Sequence, residues 1–206
     1  RDEILSKSAV KAIAVITNAE IIKEKISTFY SVEKDRIYVI NHRPSIGVAN
    51  FKEFNETLSQ KVKKQFDLPE KYIFYPAMYL PHKNHKYVID TIKILYEKFH
   101  TNISAVFCGS DKGYLNKIKK YCKEVGQEKR MHFLDFVEDE YMPYLYINSL
   151  ALVMPTFSGP TNIPPWEAFK LKIPVFYSDI HNIKKVYKDS VFYIDPYDPS
   201  TLAKGI

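Results

Sequence analysis

"KYIFYPAMYLPHKNHKYVIDTIKILYEKFHTNISAVFCG" runs from Lys71 to Gly109. Its first seven residues, Lys71 to Ala77, are almost all apolar or aromatic, which predicts a strand buried on both faces. Residues 86–99, "KYVIDTIKILYEKF", then place Val88, Ile92, Leu95, Tyr96 and Phe99 at helical spacing. "NISAVFCG", residues 102–109, is a second buried strand ended by Gly109. Two buried strands joined by a helix make a right-handed crossover, and the strands must then be parallel.

The pattern repeats outward from this unit. In "GYLNKIKKYCKEVG" (113–126) Leu115, Ile118, Cys122 and Val125 share one face, and Gly126 supplies a helix stop. "MHFLDFV" (131–137) is a third strand, and "EDEYMPYLYINS" (138–149) a short helix with acidic residues early. "LALVMP" (150–155) and "IPVFYS" (173–178) are strands on either side of a helix that begins near Trp166. "HNIKKVYKD" (181–189) is a helix and "SVFYID" (190–195) a sixth strand. "PYDPSTLAKGI" (196–206) opens one more helix, with Ser200 expected as its cap. The alternation predicts an α/β protein with a Rossmann-like, doubly wound parallel sheet.

Residues 1–45 differ. "AVKAIAVITN" (9–18) reads as a strand, "AEIIKEKISTFYSV" (19–32) as a helix and "DRIYVINHRPS" (35–45) as another strand-like run. The expected organisation is the end of a preceding α/β domain over 1–45, a linker over 46–57, and a nucleotide-binding Rossmann-like domain over 58–206, truncated at its carboxyl end.

Composition narrows the function classes. With 46% hydrophobic and 26% charged residues the chain reads as globular. Two cysteines, Cys108 and Cys122, lack metal-type or CxxC spacing and are read as reduced thiols. No apolar run approaches the ~18 residues that a membrane span needs. The net charge of +6 suits a phosphate-bearing ligand, an anionic membrane face or nucleic acid. The lysines are spread along putative helix faces, without a helix-turn-helix or RNA-binding signature, which argues against the last of these.

In a doubly wound sheet, ligands bind beyond the carboxyl ends of the strands. The informative loops are therefore 76–84, 109–113, 135–138, 155–165 and 178–182. In "SGPTNIPPWEAF" (158–169) two prolines start a helix, where a missing N–H goes unnoticed. The N–H groups left in that loop, those of Gly159, Thr161, Asn162 and Ile163, suit an anion such as a phosphate. Glu167, one turn into the helix, either complements the helix dipole or accepts hydrogen bonds from ribose hydroxyls. Lys83, after the first strand of the unit, supplies a point charge for a diphosphate. His82 and His85 flank it at a spacing that does not make a helical metal pair.

These motifs in this order resemble one family. "YPAMYLPHKNH", "FCGSDKGY", "FLDFVEDEYMPYLY", "LVMPTFSGPTNIPPWEAFKLKIPVFYSD" and "VFYIDPYDPSTLA" together are similar to the nucleotide-sugar-binding domain of retaining GT-B glycosyltransferases. That bacterial group includes mannosyltransferases of O-antigen and capsule assembly. The resemblance covers about residues 70–206, and residues 10–45 resemble the end of the family's amino-terminal acceptor domain. It implies transfer of a hexose from a GDP- or UDP-linked donor with retention, without a metal or other cofactor. It implies Lys83 and Glu167 as the catalytic pair, with Gly109, Ser110, Phe136, Val137, Gly159, Thr161, Asn162 and Ile163 around the nucleotide. The implied partners are the nucleotide-sugar donor and a glycan or lipid-linked glycan acceptor. By analogy, the place is the cytoplasm at the inner membrane face, and no nucleic acid is expected.

Two departures from the family pattern stand out. Of its two glutamates separated by seven residues, Glu167 matches the second, and Gly159 stands at the first. An arginine common five residues before the loop lysine is Met78 here. A non-catalytic nucleotide-binding scaffold and a nucleotide-sugar epimerase are therefore the competing readings.

Overall fold

The computed structural model describes residues 2–159, 162–180 and 183–206. It opens with α1 (Asp2–Lys11), β1 (Val15–Thr17), α2 (Glu20–Tyr30) and β2 (Ile37–Val39), and β1 and β2 pair in parallel. The expected strand over 9–18 is thus shorter: α1 runs to Lys11, and only Val15–Thr17 pairs. Alanine and lysine favour helix in the absence of a pairing partner, and the strand begins where β2 offers one.

A short helix, α3 (Ile46–Ala49), and α4 (Glu56–Gln65) follow, the latter capped by Asn55, whose Oδ1 accepts from Leu58 N at 3.0 Å. Val48 of α3 is fully buried in the main core, and α3 packs on the helices that precede and follow β6 below. The segment expected as a linker is therefore docked along part of its length.

The main sheet consists of β3 (Tyr72–Pro76), β4 (Ser104–Cys108), β5 (Met131–Leu134), β6 (Ala151–Met154), β7 (Val175–Ser178) and β8 (Phe192–Ile194). Its helices are α5 (His85–Phe99), α6 (Leu115–Glu124), α7 (Met142–Ile147), α8 (Pro164–Lys170), α9 (Lys184–Tyr187) and α10 (Pro199–Gly205). The spatial order is β5-β4-β3-β6-β7-β8, with every pairing parallel. The chain winds out from β3 to β5, then crosses to the other side of β3 and winds out to β8. This is the Rossmann-like α/β sheet that the alternation predicts, and the order reverses between β3 and β6. Residues 72–75, 151–154 and 175–178 are all buried, because helices cover both faces of the central strands.

The cap of α10 is Asp198, not Ser200: its carboxylate accepts from Ser200 N at 2.9 Å. Pro199 occupies the first helical position, so the cap falls on the residue before it. Both cysteines are free.

A histidine lies in the core. His85, the first residue of α5, is 1% exposed among the rings of Tyr75, Tyr79 and Phe107, at centroid distances of 4.9, 5.0 and 5.4 Å. Its ring nitrogens make no hydrogen bond of ordinary geometry among the described residues. Burial pushes its pKa down from 6.5 to about 4; the Ala77 backbone opposes this in part, and the Lys83 charge adds to it. The unfolded chain therefore takes the proton first as pH falls. Stability tied to the neutral ring is complete above about pH 6.5 and is lost toward pH 4, by on the order of 3 kcal/mol. His85→Phe is expected to flatten the dependence of denaturant stability on pH between 7 and 4.5. The same slope in both proteins would contradict this account.

Candidate functional site

The site lies where the sheet order reverses, on the loops that leave β3 and β6. After β3 the chain makes a single 3-10 turn, Pro81–Lys83, which ends at Asn84 in the left-handed conformation with φ 57°. Asparagine tolerates that conformation better than most residues. The turn is tied down on all sides. The Lys83 carbonyl accepts from Tyr75 Oη at 2.7 Å. The His82 carbonyl accepts from Phe157 N at 2.8 Å and Thr156 Oγ1 at 3.1 Å. Asn84 Nδ2 donates to the carbonyls of Pro155 at 3.1 Å and Pro196 at 3.0 Å.

This anchoring delivers the Lys83 side chain to the loop after β6. Lys83 Nζ donates to Asn162 Oδ1 at 3.1 Å. Asn162 Nδ2 donates to the Gly159 carbonyl at 3.1 Å and to Tyr177 Oη, and Tyr177 Oη donates to the same carbonyl at 2.9 Å. Among the described residues no carboxylate pairs with Lys83. Partial burial lowers its pKa, because the ammonium has lost water without gaining a counter-charge. A cation held in this way is a place for an anion. The site sits beside the start of α5, 15 residues long, whose positive end faces the same edge.

Gly159 has φ +105°, a conformation that side-chain-bearing residues rarely adopt. The residue that replaces the family's first glutamate is therefore fixed as glycine by the backbone of this loop. Ile163 caps α8 through its carbonyl, which accepts from Trp166 N and Glu167 N. The N–H groups of Gly159 and Ile163 find no acceptor among the described residues. Thr161 lies outside the described residues.

Gly109, Ser110, Phe136 and Val137 meet in one cavity of about 300 Å³ at the ends of β4 and β5, together with Cys108, Asp111 and Asp135. Phe136 is 81% exposed at its mouth and Val137 is buried. Gly109 is required by close approach: a Cβ there would lie 2.3 Å from the Ala77 carbonyl oxygen. Asp111 Oδ1 accepts from the N–H groups of Gly113, Tyr114 and Leu115, which lower its pKa and fix the start of α6. Burial raises the Cys108 thiol to about 11, so it stays protonated and unreactive at neutral pH. Two strand spacings, roughly 10 Å, separate this cavity from the Lys83 cluster. That span suits a base at one end and a diphosphate at the other.

Glu167 is 5% exposed. Its Oε2 accepts from Tyr146 Oη of α7, and its Oε1 accepts from Ser45 N, at 3.1 Å, on the segment that leads into α3. It is thus one of the points, with buried Val48, where the segment leading into α3 is fastened to the main sheet. Each oxygen keeps a second lone pair for another donor. Burial first, and then the Glu167 charge, raises the pKa of Tyr146, so the phenol remains the donor.

Sequence reading did not find Asn84, Tyr146, Tyr177 or Ser45 as parts of the site. Asn84 carried a signal, an asparagine placed directly before a helical run. The tyrosines carried none, since they sit in apolar stretches and are read as core.

Among the described residues no three His, Cys, Asp or Glu side chains gather as a metal site, and no helix is long and apolar enough to cross a membrane. A cavity of about 740 Å³ lies at the opposite, amino edge of the sheet, around Lys71, His100 and Phe192. Doubly wound sheets take ligands at the carboxyl edge, and the pinned lysine is there.

The fold and this site together define a Rossmann-like α/β unit with a pinned lysine at its switch point. Residues 57–206 match the model of the family Glycosyl transferases group 1, and the chain belongs to that family. An uncharacterized glycosyltransferase of Methanocaldococcus jannaschii is 24% identical over 207 residues, covering 97% of this chain and 51% of its own length. O-antigen chain mannosyltransferase B of Escherichia coli is 25% identical over 136 residues, covering 66% of this chain and 35% of its own. Anabaena HepE, solved in complex with UDP-glucose, superposes with a TM-score of 0.82 at 17% identity, over 98% of this chain and 55% of that one. The chain thus spans about half the length of the first of these relatives or less of the second.

Lys83→Ala is expected to weaken the binding of inorganic pyrophosphate by about 1–3 kcal/mol, the range for a charge-assisted hydrogen bond. An unchanged dissociation constant in calorimetric titration would rule Lys83 out as the anion's partner.

Proposed function

We propose that the chain is the donor-binding part of a hexosyltransferase that takes a GDP- or UDP-linked sugar and passes the hexose to a glycan or lipid-linked glycan, with retention at the anomeric carbon. The observation that carries this reading is the Lys83 ammonium, pinned on Asn162 at the switch point with no carboxylate partner among the described residues, about two strand spacings from the cavity at the ends of β4 and β5. The structural neighbour's complex with UDP-glucose supports the class of ligand. The similarity to an O-antigen chain mannosyltransferase supports a role in cell-surface polysaccharide synthesis, and in this reading the work is done at the cytoplasmic side of the inner membrane.

The chemical demand is specific. When the bond from the anomeric carbon to the diphosphate oxygen breaks, negative charge grows on the departing diphosphate. Preorganised donors aimed at that charge lower the barrier most. In this reading Lys83 and the free N–H groups of Gly159 and Ile163 are those donors, and they do the work without a metal or other cofactor. Glu167 holds the ribose through its remaining lone pairs, and backbone groups of Phe136 and Val137 hold the base.

A thermal-shift panel of UDP, GDP, ADP and their sugars tests the reading, with Glu167→Gln as control. Ligand at ten times its dissociation constant stabilises by about 1.4 kcal/mol. For a chain of this size that raises the midpoint by roughly 3–6 °C. One nucleotide should produce the shift, and the variant should lose it while keeping its response to pyrophosphate. No shift with any nucleotide would overturn the proposal.

A further inference from the structure

We infer that Asn162 is a specificity-determining residue: its carboxamide oxygen accepts a hydrogen bond from a hydroxyl of the sugar carried on the diphosphate. The inference rests on the donor-site reading above and goes beyond it.

The orientation of this amide is fixed by chemistry. On one side stands the Gly159 carbonyl, which can only accept; on the other stands the Lys83 ammonium, which can only donate. Nδ2 must therefore face Gly159, and Oδ1 must face Lys83. The amide is also clamped. Nδ2 reaches both the Gly159 carbonyl and Tyr177 Oη, and Tyr177 is fully buried on β7. Oδ1 is a positioned acceptor, not a side chain free to turn away.

A carbonyl oxygen has two lone pairs, and the ammonium uses one. An ammonium has three N–H groups, so Lys83 can keep Asn162 and still meet a diphosphate. The second lone pair of Oδ1 is then left next to the bound diphosphate. A phosphate oxygen cannot fill it, because both are acceptors. A hydroxyl can, and the hydroxyls nearest a diphosphate at this end belong to the group esterified to it. Gly159 adds no side chain to cover the amide, whereas a Cβ there would touch it, at 3.7 Å from Oδ1. Asn162 is half-buried, shielded enough for the hydrogen bond to discriminate but open to a ligand.

The test compares two dissociation constants in each protein, for the nucleoside diphosphate that binds best and for its hexose conjugate. In wild type the conjugate should bind more tightly. Asn162→Ala should weaken both ligands, because the amide also holds Lys83, but the conjugate roughly three- to tenfold more than the plain diphosphate. Tyr177→Phe, which loosens the clamp but keeps the amide, should give a smaller loss with the same selectivity; it serves if the alanine variant does not fold. Equal weakening of both ligands would show that Asn162 only positions Lys83, and would overturn the inference while leaving the donor site intact. An unchanged ratio in both variants would also overturn it. Failure of wild type to bind any nucleotide would instead bring down the donor-site reading, and this inference with it.

Discussion

The site depends on one side chain, the carboxamide of Asn84. It reaches the carbonyls of Pro155 and Pro196, so the turn after β3 is tied to the ends of β6 and β8 at once. Those strands lie on the far side of the switch point, and the backbone bond from Phe157 N to the His82 carbonyl, at 2.8 Å, joins the exit loop of β6 to the same turn. Without the tie, Lys83 would sit on a solvated loop, where a long side chain loses most of its electrostatic value to entropy and screening. With it, the main-chain atoms of residues 82–84 are nearly all engaged, and only the lysine side chain is left to act.

The second constraint is electrostatic. Lys83 faces a neutral amide in place of a carboxylate, so its charge is directed but not cancelled. A carboxylate there would have made an ion pair that any incoming anion must break. The amide partner keeps the ammonium in place and leaves it available. Across the site Glu167 shows the opposite design: each oxygen of its carboxylate already accepts one hydrogen bond, from Tyr146 or from Ser45. The fastening of the amino-terminal segment therefore runs through a residue of the candidate donor site, and α3 is placed by that bond and by the burial of Val48.

Much of the fold was legible because its strands are short and apolar and alternate with amphipathic helices. The run from Lys71 to Gly109 contains one complete crossover, and the rest of the sheet repeats it. The site was legible only at its poles. Lys83 and the 159–163 loop each fall directly after a strand, where the topology places ligand contacts. Their meeting was not, since Lys83 and Asn162 are 79 residues apart. Tyr146 and Tyr177 look like core residues and are core residues; only the hydroxyl at the ring's end belongs to the site. Residues 9–11 were read into the strand because the run of Ala, Val and Ile over 9–16 carries no decisive period, and a three-residue pairing with β2 settled where the strand lies.

The central claim is that the diphosphate of a nucleotide sits on Lys83 at the switch point. The most direct measurement is a crystal structure of the chain grown with UDP or GDP. The account predicts phosphate oxygens within ~2.7–3.2 Å of Lys83 Nζ and the Ile163 N–H, with the base between the ends of β4 and β5. Nucleotide density in the amino-edge cavity around Lys71 and Phe192, with Lys83 still bound only to Asn162, would contradict it.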